Sequence, residues 1–358
     1  MRLPPDAHSA LWIGTFAVCA TTLAGGLVMT VQAQDLPPLF APPGMLTNDN
    51  WFAKSGDTYH AFYLQVPACL GEPGDWSVRA GWQHVGHATS QDLVHWTDHG
   101  PVLAAVRGTW NDDSIMTGSV VSSGGRWWMA FTAAGKAHGM GLAVSEDLMT
   151  WKKAGDGPVI PFGKPFEATW QGQPLKWVGC ADPYLCPEPI DGWYYVVLNA
   201  QVVGAPLNQS GCLTTMRSRD LLTWEPDRVL LQPRWFERLE TPQLWNRGSR
   251  WYLYFGGAHD HEIPEEYLQA VLPEVAKLGR RVNCVFIADA FGGPYRPVGK
   301  WWVNLPDGRG SYIHKVFPGP NGRDVLLTTT SARISRPYPV SYAEDGSLTL
   351  GMPTVPSP

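Results

Sequence analysis

Ser90-Gln91-Asp92-Leu93-Val94-His95-Trp96, Ser145-Glu146-Asp147-Leu148-Met149-Thr150-Trp151 and Ser218-Arg219-Asp220-Leu221-Leu222-Thr223-Trp224 share the frame Ser-x-Asp-Leu-x-x-Trp, and each follows an alternating, strand-like run. Self-similarity at a spacing of tens of residues marks a repeat architecture, in which one copy cannot bury its apolar face without its neighbours. The segments between the copies read as short β-strands, so the repeating unit is a small sheet. A ring of such sheets is a β-propeller, and its opening strands meet at one central pocket. Within each copy the Leu is expected to point into the packing between blades and the Trp to begin the outermost strand. The Asp is expected to cap turn amides outside the pocket.

Working outward, the same order of opening strand, tight hairpin and aromatic second strand recurs. Opening strands are read near Leu46-Thr47-Asn48-Asp49, at Ile115–Val121, at Cys180–Leu185, at Glu240–Trp245 and at Tyr312–Phe317. Aromatic second strands follow at Tyr59–Val66, Trp127–Thr132, Trp193–Leu198, Trp251–Phe255 and Val325–Thr330, the last of these aliphatic instead. The expected fold is therefore all-β, a five-bladed propeller with four-stranded antiparallel blades over residues 34–358. One segment departs from the pattern: residues 262–280 read as a helical insertion, with Pro264 in the first turn, Glu265 and Glu266 near its start and Gly279 at its end.

Composition limits the function classes. Of the 358 residues, 44% are hydrophobic and 18 are Trp, which fills a large core. Only 16% are charged and the formal net charge is -5, so no basic excess exists to neutralise nucleic acid phosphates. Abundant Trp and Tyr with few charges suit an oligo- or polysaccharide partner, whose C–H faces pack on aromatic rings, although most such aromatics serve as core. Residues 1–33 read as a targeting segment: Arg2 precedes an apolar stretch from Leu11 to about Val31, and Val31-Gln32-Ala33 has the form of a cleavage site. Cleavage and export to a secreted or periplasmic location is the favoured expectation, and an uncleaved membrane anchor is the alternative. Cys69, Cys180, Cys186, Cys212 and Cys284 follow the leader, an odd number with no zinc spacing. Cys180 and Cys186 flank one strand and are candidates to pair with each other or with Cys212.

Acidic residues sit on three of the opening strands: Asp49 in the first blade, Asp182 in the third and Glu240 in the fourth. A propeller turns these distant positions into neighbours. Cleavage of a glycosidic bond needs two carboxyl groups flanking the anomeric centre, one a proton donor and the other a nucleophile or base. A third can hold sugar hydroxyls and raise the donor's pKa by like-charge repulsion. As donor, Glu240 is expected in a more apolar or more negative setting than Asp49. Each acid also has a plain alternative as a turn former or an exposed surface residue, and it is the matched placement in three blades that favours catalysis.

The runs Asn48-Asp49 to Tyr63 and Gly86-His87-Ala88-Thr89-Ser90 to Trp96 resemble the start of glycoside hydrolase family 32, which holds invertases, inulinases and levanases. Trp110 followed by Thr117-Gly118-Ser119-Val120 is similar to the family's fructosyl-subsite motif. Ala181-Asp182-Pro183 is similar to its Arg-Asp-Pro motif, and Glu240-Thr241-Pro242 to its Glu-Cys-Pro motif. The resemblance implies a five-bladed propeller and a retaining β-fructofuranosidase-like hydrolase. Asp49 would then be the nucleophile, Asp182 the transition-state stabiliser and Glu240 the acid/base, with Asn48, Trp51, Trp110, Gly118, Ser119 and His314 binding substrate. No cofactor is implied, save an axial calcium or water cluster near His314 by analogy with family 43, where a His lies on the axis. Departures are Asn50-Trp51-Phe52 in place of Pro-Asn-Gly, Ala181 in place of Arg, Thr241 in place of Cys, and no length for the C-terminal β-sandwich of typical members. Family 43 arabinofuranosidases and xylosidases share the fold and invert, which is the alternative chemistry. A propeller that binds sugars without turning them over is the alternative class. A sialidase is disfavoured, because the repeat lacks the glycine of the sialidase Asp-box and no set of three inward arginines stands out.

Overall fold

Blade I consists of β1 (Met45–Ser55), β2 (Thr58–Pro67), β3 (His84–Ser90) and β4 (Thr97–Ala104), paired antiparallel in that order. The structure is a computed structural model and describes residues 39–70, 80–162, 166–170, 173–177, 181–258, 273 and 281–353. The leader, Cys180 and, apart from a turn at Pro273, the helix read over 262–280 lie outside the described residues. Among those described, no helix is long and apolar enough to cross a membrane.

Blade II follows as β5 (Ser114–Ser123), β6 (Arg126–Ala134), β7 (Gly139–Ser145) and the short β8 (Lys152–Lys153), with β9 (Ile160–Pro161) also on β7. Blade III is β10 (Phe166–Trp170), β11 (Gln173–Trp177), β12 (Tyr184–Leu185), β13 (Tyr194–Val202), β14 (Gly211–Ser218) and β15 (Glu225–Leu231). Here β11 and β12 share the inner edge of β13, one at each end. Blade IV has β16 (Arg238–Arg247), β17 (Arg250–Ala258) and β18 (Arg281–Ala288). Its fourth position is held by two isolated bridges, Cys284 to Trp302 and Ile287 to Arg296, rather than a strand. Pro294 and Pro297 in that stretch lack the N–H that a ladder needs. Blade V is β19 (Tyr312–Pro318), β20 (Asp324–Thr330), β21 (Arg333–Ile334), β22 (Tyr338–Tyr342) and β23 (Leu348–Leu350).

The ring closes through its side chains. Successive residues of a strand face opposite sides of the sheet, and in β2 both sides are apolar. Phe62 and Leu64 join Phe131, Met129 and Ile115 between blades I and II, while Tyr59, Ala61 and Tyr63 join Leu327 and Ile334 between blades V and I. Val196 and Leu198 of β13 face Leu142 of blade II, whereas Val197 packs with Leu253 and Phe255 of blade IV. Tyr252, Tyr254 and Val285 meet Val316 and Leu326 between blades IV and V. Among the described residues, every blade thus packs both of its faces against its neighbours. The amino-terminal approach helps seal the ring, since Phe40 exchanges backbone hydrogen bonds with Ile334 of β21 at 3.0 and 2.8 Å.

The three repeat copies are the turns into the outermost strand of blades I, II and III. In each, the Asp carboxylate accepts two backbone N–H groups: Asp147 takes those of Met149 at 2.8 Å and Thr150 at 2.7 Å. Asp92 takes Val94 and His95, and Asp220 takes Leu222 and Thr223. These bonds hold Asp147 and Asp220 below the usual carboxylate range. Leu93, Leu148 and Leu221 stand in the left-handed region at φ 64°, 64° and 67°, costly for a residue with a Cβ. Burial of the leucine side chains between blades and the two amide bonds offset that cost. Trp151 and Trp224 close the turn by donating their indole N–H to the carbonyls of Leu148 and Leu221. As expected, each Trp directly precedes the outermost strand of its blade and the Asp residues lie away from the axis.

Cysteine pairing turns out otherwise. Cys186, Cys212 and Cys284 are buried free thiols and Cys69 is an exposed one. Cys186 lies in the core between blades III and IV and Cys212 in that between II and III, on opposite faces of the sheet. The pairing considered between them is therefore not made.

Candidate active site

The opening strands share one irregularity at their axial ends. In β1 two residues, Asn48 and Asp49, stand opposite one between the pairs Thr47–Gln65 and Asn50–Tyr63. In β5 the extra pair is Met116 and Thr117, in β16 it is Thr241 and Pro242, and in β19 the single residue Ile313 is inserted. Such β-bulges bend a strand and re-aim side chains. Here they carry Asp49 and Thr117, follow Glu240, and separate Tyr312 from His314. Blade III reaches the same end with Ala181 and Asp182 at φ 47° and 37°, left-handed values shared by Thr241 at 48° and Ile313 at 66°. Left-handed backbone thus recurs where the inner strands of blades III, IV and V meet the axis, as it does at sites that need fixed geometry.

These irregular ends bring the three acids together. Thr117 of blade II donates its hydroxyl to Asp49 Oδ2 of blade I and also hydrogen-bonds Asp182 of blade III. Asp182 Oδ2 accepts from Asn199 Nδ2 at 2.8 Å and from the backbone N–H of Thr241, in blade IV, at 2.9 Å. Lys315 of blade V donates to the carbonyls of Thr241 and Pro242, each at 3.0 Å. Tyr312 Oη donates to Glu240 Oε2 at 3.0 Å and feels the charge of Glu240, Asp49 and Asp182. Asn50 Nδ2 closes the circuit from blade I to Thr329 of blade V at 2.7 Å. A band of polar contacts thus links all five blades around the axis.

Burial and then the neighbouring Asp49 charge push the Asp182 carboxyl up to about 6, against the Thr241 amide, Thr117 and Lys315, which favour its ionised form. Burial depresses the Lys315 ammonium to about 8, and the two aspartates hold it from falling further. Glu240 is also raised, chiefly by burial, with Arg281 and Arg238 pulling the other way and Asp182 adding to the rise. Arg238 Nη2 lies 3.0 Å from Glu240 Oε1, and Arg281 Nη1 bonds Oε2. Glu240 was expected in a more apolar or more negative setting than Asp49; the two are equally buried, each 6% exposed, while two guanidinium groups face Glu240 and the close like-charge partner of Asp49 is Asp182.

The other sequence candidates divide. Asn48 sits on the bulge beside Asp49, and its carbonyl accepts from Thr329 Oγ1 at 3.1 Å. Trp51 is buried between blades I and II, where its ring lies against Gly118. A Cβ on Gly118 would overlap the Ala130 carbonyl, so only glycine lets β5 and Trp51 approach this closely. Trp110 is half-buried and stacks on Phe131 with ring centroids 6.2 Å apart. Ser119 accepts the Leu185 N–H at 2.8 Å, tying blade II to blade III. Trp51, Gly118 and Ser119 therefore build the walls between blades rather than join the acid cluster. His314 is buried, bonds Ser311 Oγ through Nε2 at 2.9 Å, and is held neutral, at about 3, by burial and then Lys315. Among the described residues, no group of three or more His, Cys, Asp or Glu side chains is placed to hold a metal ion.

Sequence reading missed Tyr312, Lys315, Asn199, Arg238 and Arg281. Tyr312 and Lys315 flank His314 in the opening strand of blade V, so the placement argument used for the acids would have reached them. The two arginines carry no such signal, because Arg281 opens a third strand and Arg238 precedes the motif.

The profile described as the glycosyl hydrolases family 32 N-terminal domain matches residues 40–246. The chain is 27% identical over 305 residues to sucrose-6-phosphate hydrolase of Escherichia coli, an alignment covering 81% of this chain and 55% of that protein. It spans about half the length of the curated relatives it matches, 55% and 43% for two from Escherichia coli. Among solved structures, sucrose-6-phosphate hydrolase from Lactobacillus gasseri superposes with TM-score 0.65 at 19% identity, covering 89% of this chain and 63% of that one. The α-L-arabinofuranosidase of family 43 from Clostridium thermocellum gives TM-score 0.61 at 14% identity, covering 86% and 93%. At these identities the structural likeness speaks for the fold.

Proposed function

The chain belongs to glycosyl hydrolase family 32, and on that premise we propose that it hydrolyses a β-fructofuranoside-type linkage in an oligosaccharide, with retention. The observation that carries the reading is the meeting of Asp49, Asp182 and Glu240 around Tyr312, drawn from three blades. Asp49 attacks the anomeric carbon from one side while Glu240 gives its proton to the departing oxygen. Water, activated by Glu240, then releases the sugar from Asp49. Asp182 is fixed by Asn199 and the Thr241 amide. In that position it accepts bonds from sugar hydroxyls that strengthen as positive charge grows on the ring. Thr117 keeps Asp49 aimed by donating to it. Lys315 offsets the charge of the aspartate pair.

Ala181 gives the second reading its support, because the guanidinium that typical members place before the Asp is lacking. That alteration of the sugar pocket suits a family 43-like arabinofuranosidase or xylosidase that inverts. Carboxyl groups about 5–5.5 Å apart imply retention and about 6.5–9.5 Å inversion. A screen of fructosides, arabinofuranosides and xylosides, with product anomers followed by NMR, decides between them. Retention on a fructoside is the expected outcome, and an inverted first product overturns the mechanism. Turnover of none of them, with ligand binding intact in Glu240→Gln, would make this a binding propeller. The leader suits export, and amino-terminal sequencing of protein recovered from the periplasm or medium should begin near Gln34.

A further inference from the structure

Thr241 is a β-branched residue at φ 48°, a backbone that such a side chain keeps only where its surroundings fix it. Its N–H donates to Asp182 Oδ2 at 2.9 Å, and its carbonyl and that of Pro242 each accept from Lys315 Nζ at 3.0 Å. One residue on, Gln243 brackets Val316: its Nε2 donates to the Val316 carbonyl at 2.8 Å and its Oε1 accepts the Val316 N–H at 2.6 Å. The inner strands of blades IV and V, β16 and β19, are thus tied by side chains at consecutive positions. Lys315 itself is buried, 4% exposed, which a lysine tolerates only where its donors and its charge are met. Around it stand Asp49 on β1, Asp182 just before β12, Tyr184 on β12 and His314 beside it on β19. Beyond Asp182 come Glu240 of β16, with Arg238 and Arg281, and Tyr312 of β19.

We propose that Lys315 is a positioning residue for the reaction: it clamps the Thr241–Pro242 bulge so that the Thr241 amide meets Asp182, and it supplies the counter-charge that keeps Asp182 a carboxylate. The inference rests on the proposed function only for its bearing on turnover; the clamp and the charge stand on the contacts themselves. Asp182 needs the help. Burial and the Asp49 charge both favour its neutral form, and a neutral Asp182 offers no negative charge to a sugar ring that turns cationic. The Thr241 amide, Thr117 and Lys315 oppose them. Two of those three influences run through Lys315, one directly and one by way of the bulge it holds. The link is reciprocal, since the attraction that keeps Asp182 ionised also keeps Lys315 protonated against its burial.

Carboxyl 13C NMR of aspartate-labelled protein reads Asp182 directly, its signal being the one missing from Asp182→Asn. In wild type that signal should titrate with a midpoint of about 6. Lys315→Gln keeps N–H donors for the carbonyls without the charge, and should move the midpoint up by about one unit or more. Lys315→Arg, which keeps the charge, should leave it in place. Should Lys315→Gln not fold, Asp182→Asn gives the converse measurement. There the Lys315 13Cε signal, identified by its absence from Lys315→Arg, should titrate at lower pH than in wild type. An Asp182 midpoint unchanged in Lys315→Gln, one as high in Lys315→Arg as in Lys315→Gln, or a Lys315 signal indifferent to Asp182→Asn overturns the proposal. Turnover of a fructoside reads the same device. The acid limb of kcat/KM should rise with the Asp182 midpoint, so that Lys315→Gln loses about tenfold on that limb and regains most of it by pH 8. A lysine that only holds the fold together lowers the rate by one factor at every pH, and that result also overturns the proposal. If the NMR shifts appear and no sugar is cleaved, it is the glycosidase reading that fails, and the assignment of Lys315 stands.

Discussion

Replacing Asp182 by Asn removes a charge that the fold holds at a cost, so the variant is expected to be more stable than the wild type near neutral pH. The carboxyl is raised from 3.8 to about 6 by burial and then by Asp49. A raised carboxyl binds its proton more tightly folded than unfolded, so stability falls as pH climbs through the window from about 4 to about 6. Above that window the penalty is complete. A shift of about two units at roughly 1.4 kcal/mol each makes it about 3 kcal/mol. Asn keeps the shape, accepts the Asn199 and Thr241 donors through its oxygen, and tolerates the left-handed backbone at φ 37°. Urea unfolding of both proteins from pH 3.5 to 8 provides the assay, read as their difference so that other titrating groups cancel. That difference should be near zero below pH 4, grow to about 3 kcal/mol in favour of the variant by pH 6, and stay level to pH 7.5. Turnover should meanwhile fall by a factor of roughly a hundred or more, if the buried charge stabilises the transition state as proposed. A variant less stable than wild type at pH 7.5, or a difference that does not change with pH, would refute the reasoning.

Asp147→Ala removes the acceptor for the Met149 and Thr150 amides and should cost about 1–2 kcal/mol in urea unfolding while leaving KM in place. Gly118→Ala drives a Cβ into the Ala130 carbonyl and onto Trp51; the loss should be about 2 kcal/mol or more, accompanied by lower kcat as the Thr117 bulge shifts. Lys315→Met leaves the Thr241 and Pro242 carbonyls and the aspartate pair without their cation, so destabilisation of about 3–5 kcal/mol is expected at pH 7, less at pH 4, where Asp182 carries a proton. Thiol titration of the native protein should show Cys69 reacting at once and Cys186, Cys212 and Cys284 only on unfolding, since burial both shields these thiols and raises them, to about 12 for Cys186 and Cys212.

Local signals carried the fold. The Ser-x-Asp-Leu-x-x-Trp turns are short-range structures in which the Asp caps amides two and three residues on, so their pattern shows in seven consecutive letters. Apolar, aromatic-rich runs behind tight hairpins exposed β2, β6, β13 and β17 for the same reason, a hairpin being a local structure. Asp49, Asp182 and Glu240 were found because the repeat supplied a frame in which equivalent positions had to meet. What local pattern left out was whatever depends on a partner far along the chain. Blade IV lost its fourth strand to prolines whose pairing is judged only against β18, and Cys186 and Cys212 were separated by the two faces of one sheet. Trp51, a substrate candidate by motif, became part of the wall between blades because Gly118 of the next blade leaves room for its ring. Arg238 and Arg281 reach Glu240 from opposite edges of the fourth sheet, one preceding the motif and one opening a strand about 40 residues later. Charge acts through space rather than along the chain. The repeats therefore determined that there is a ring and where its centre lies, while only the closed ring decided which charges surround each carboxyl there.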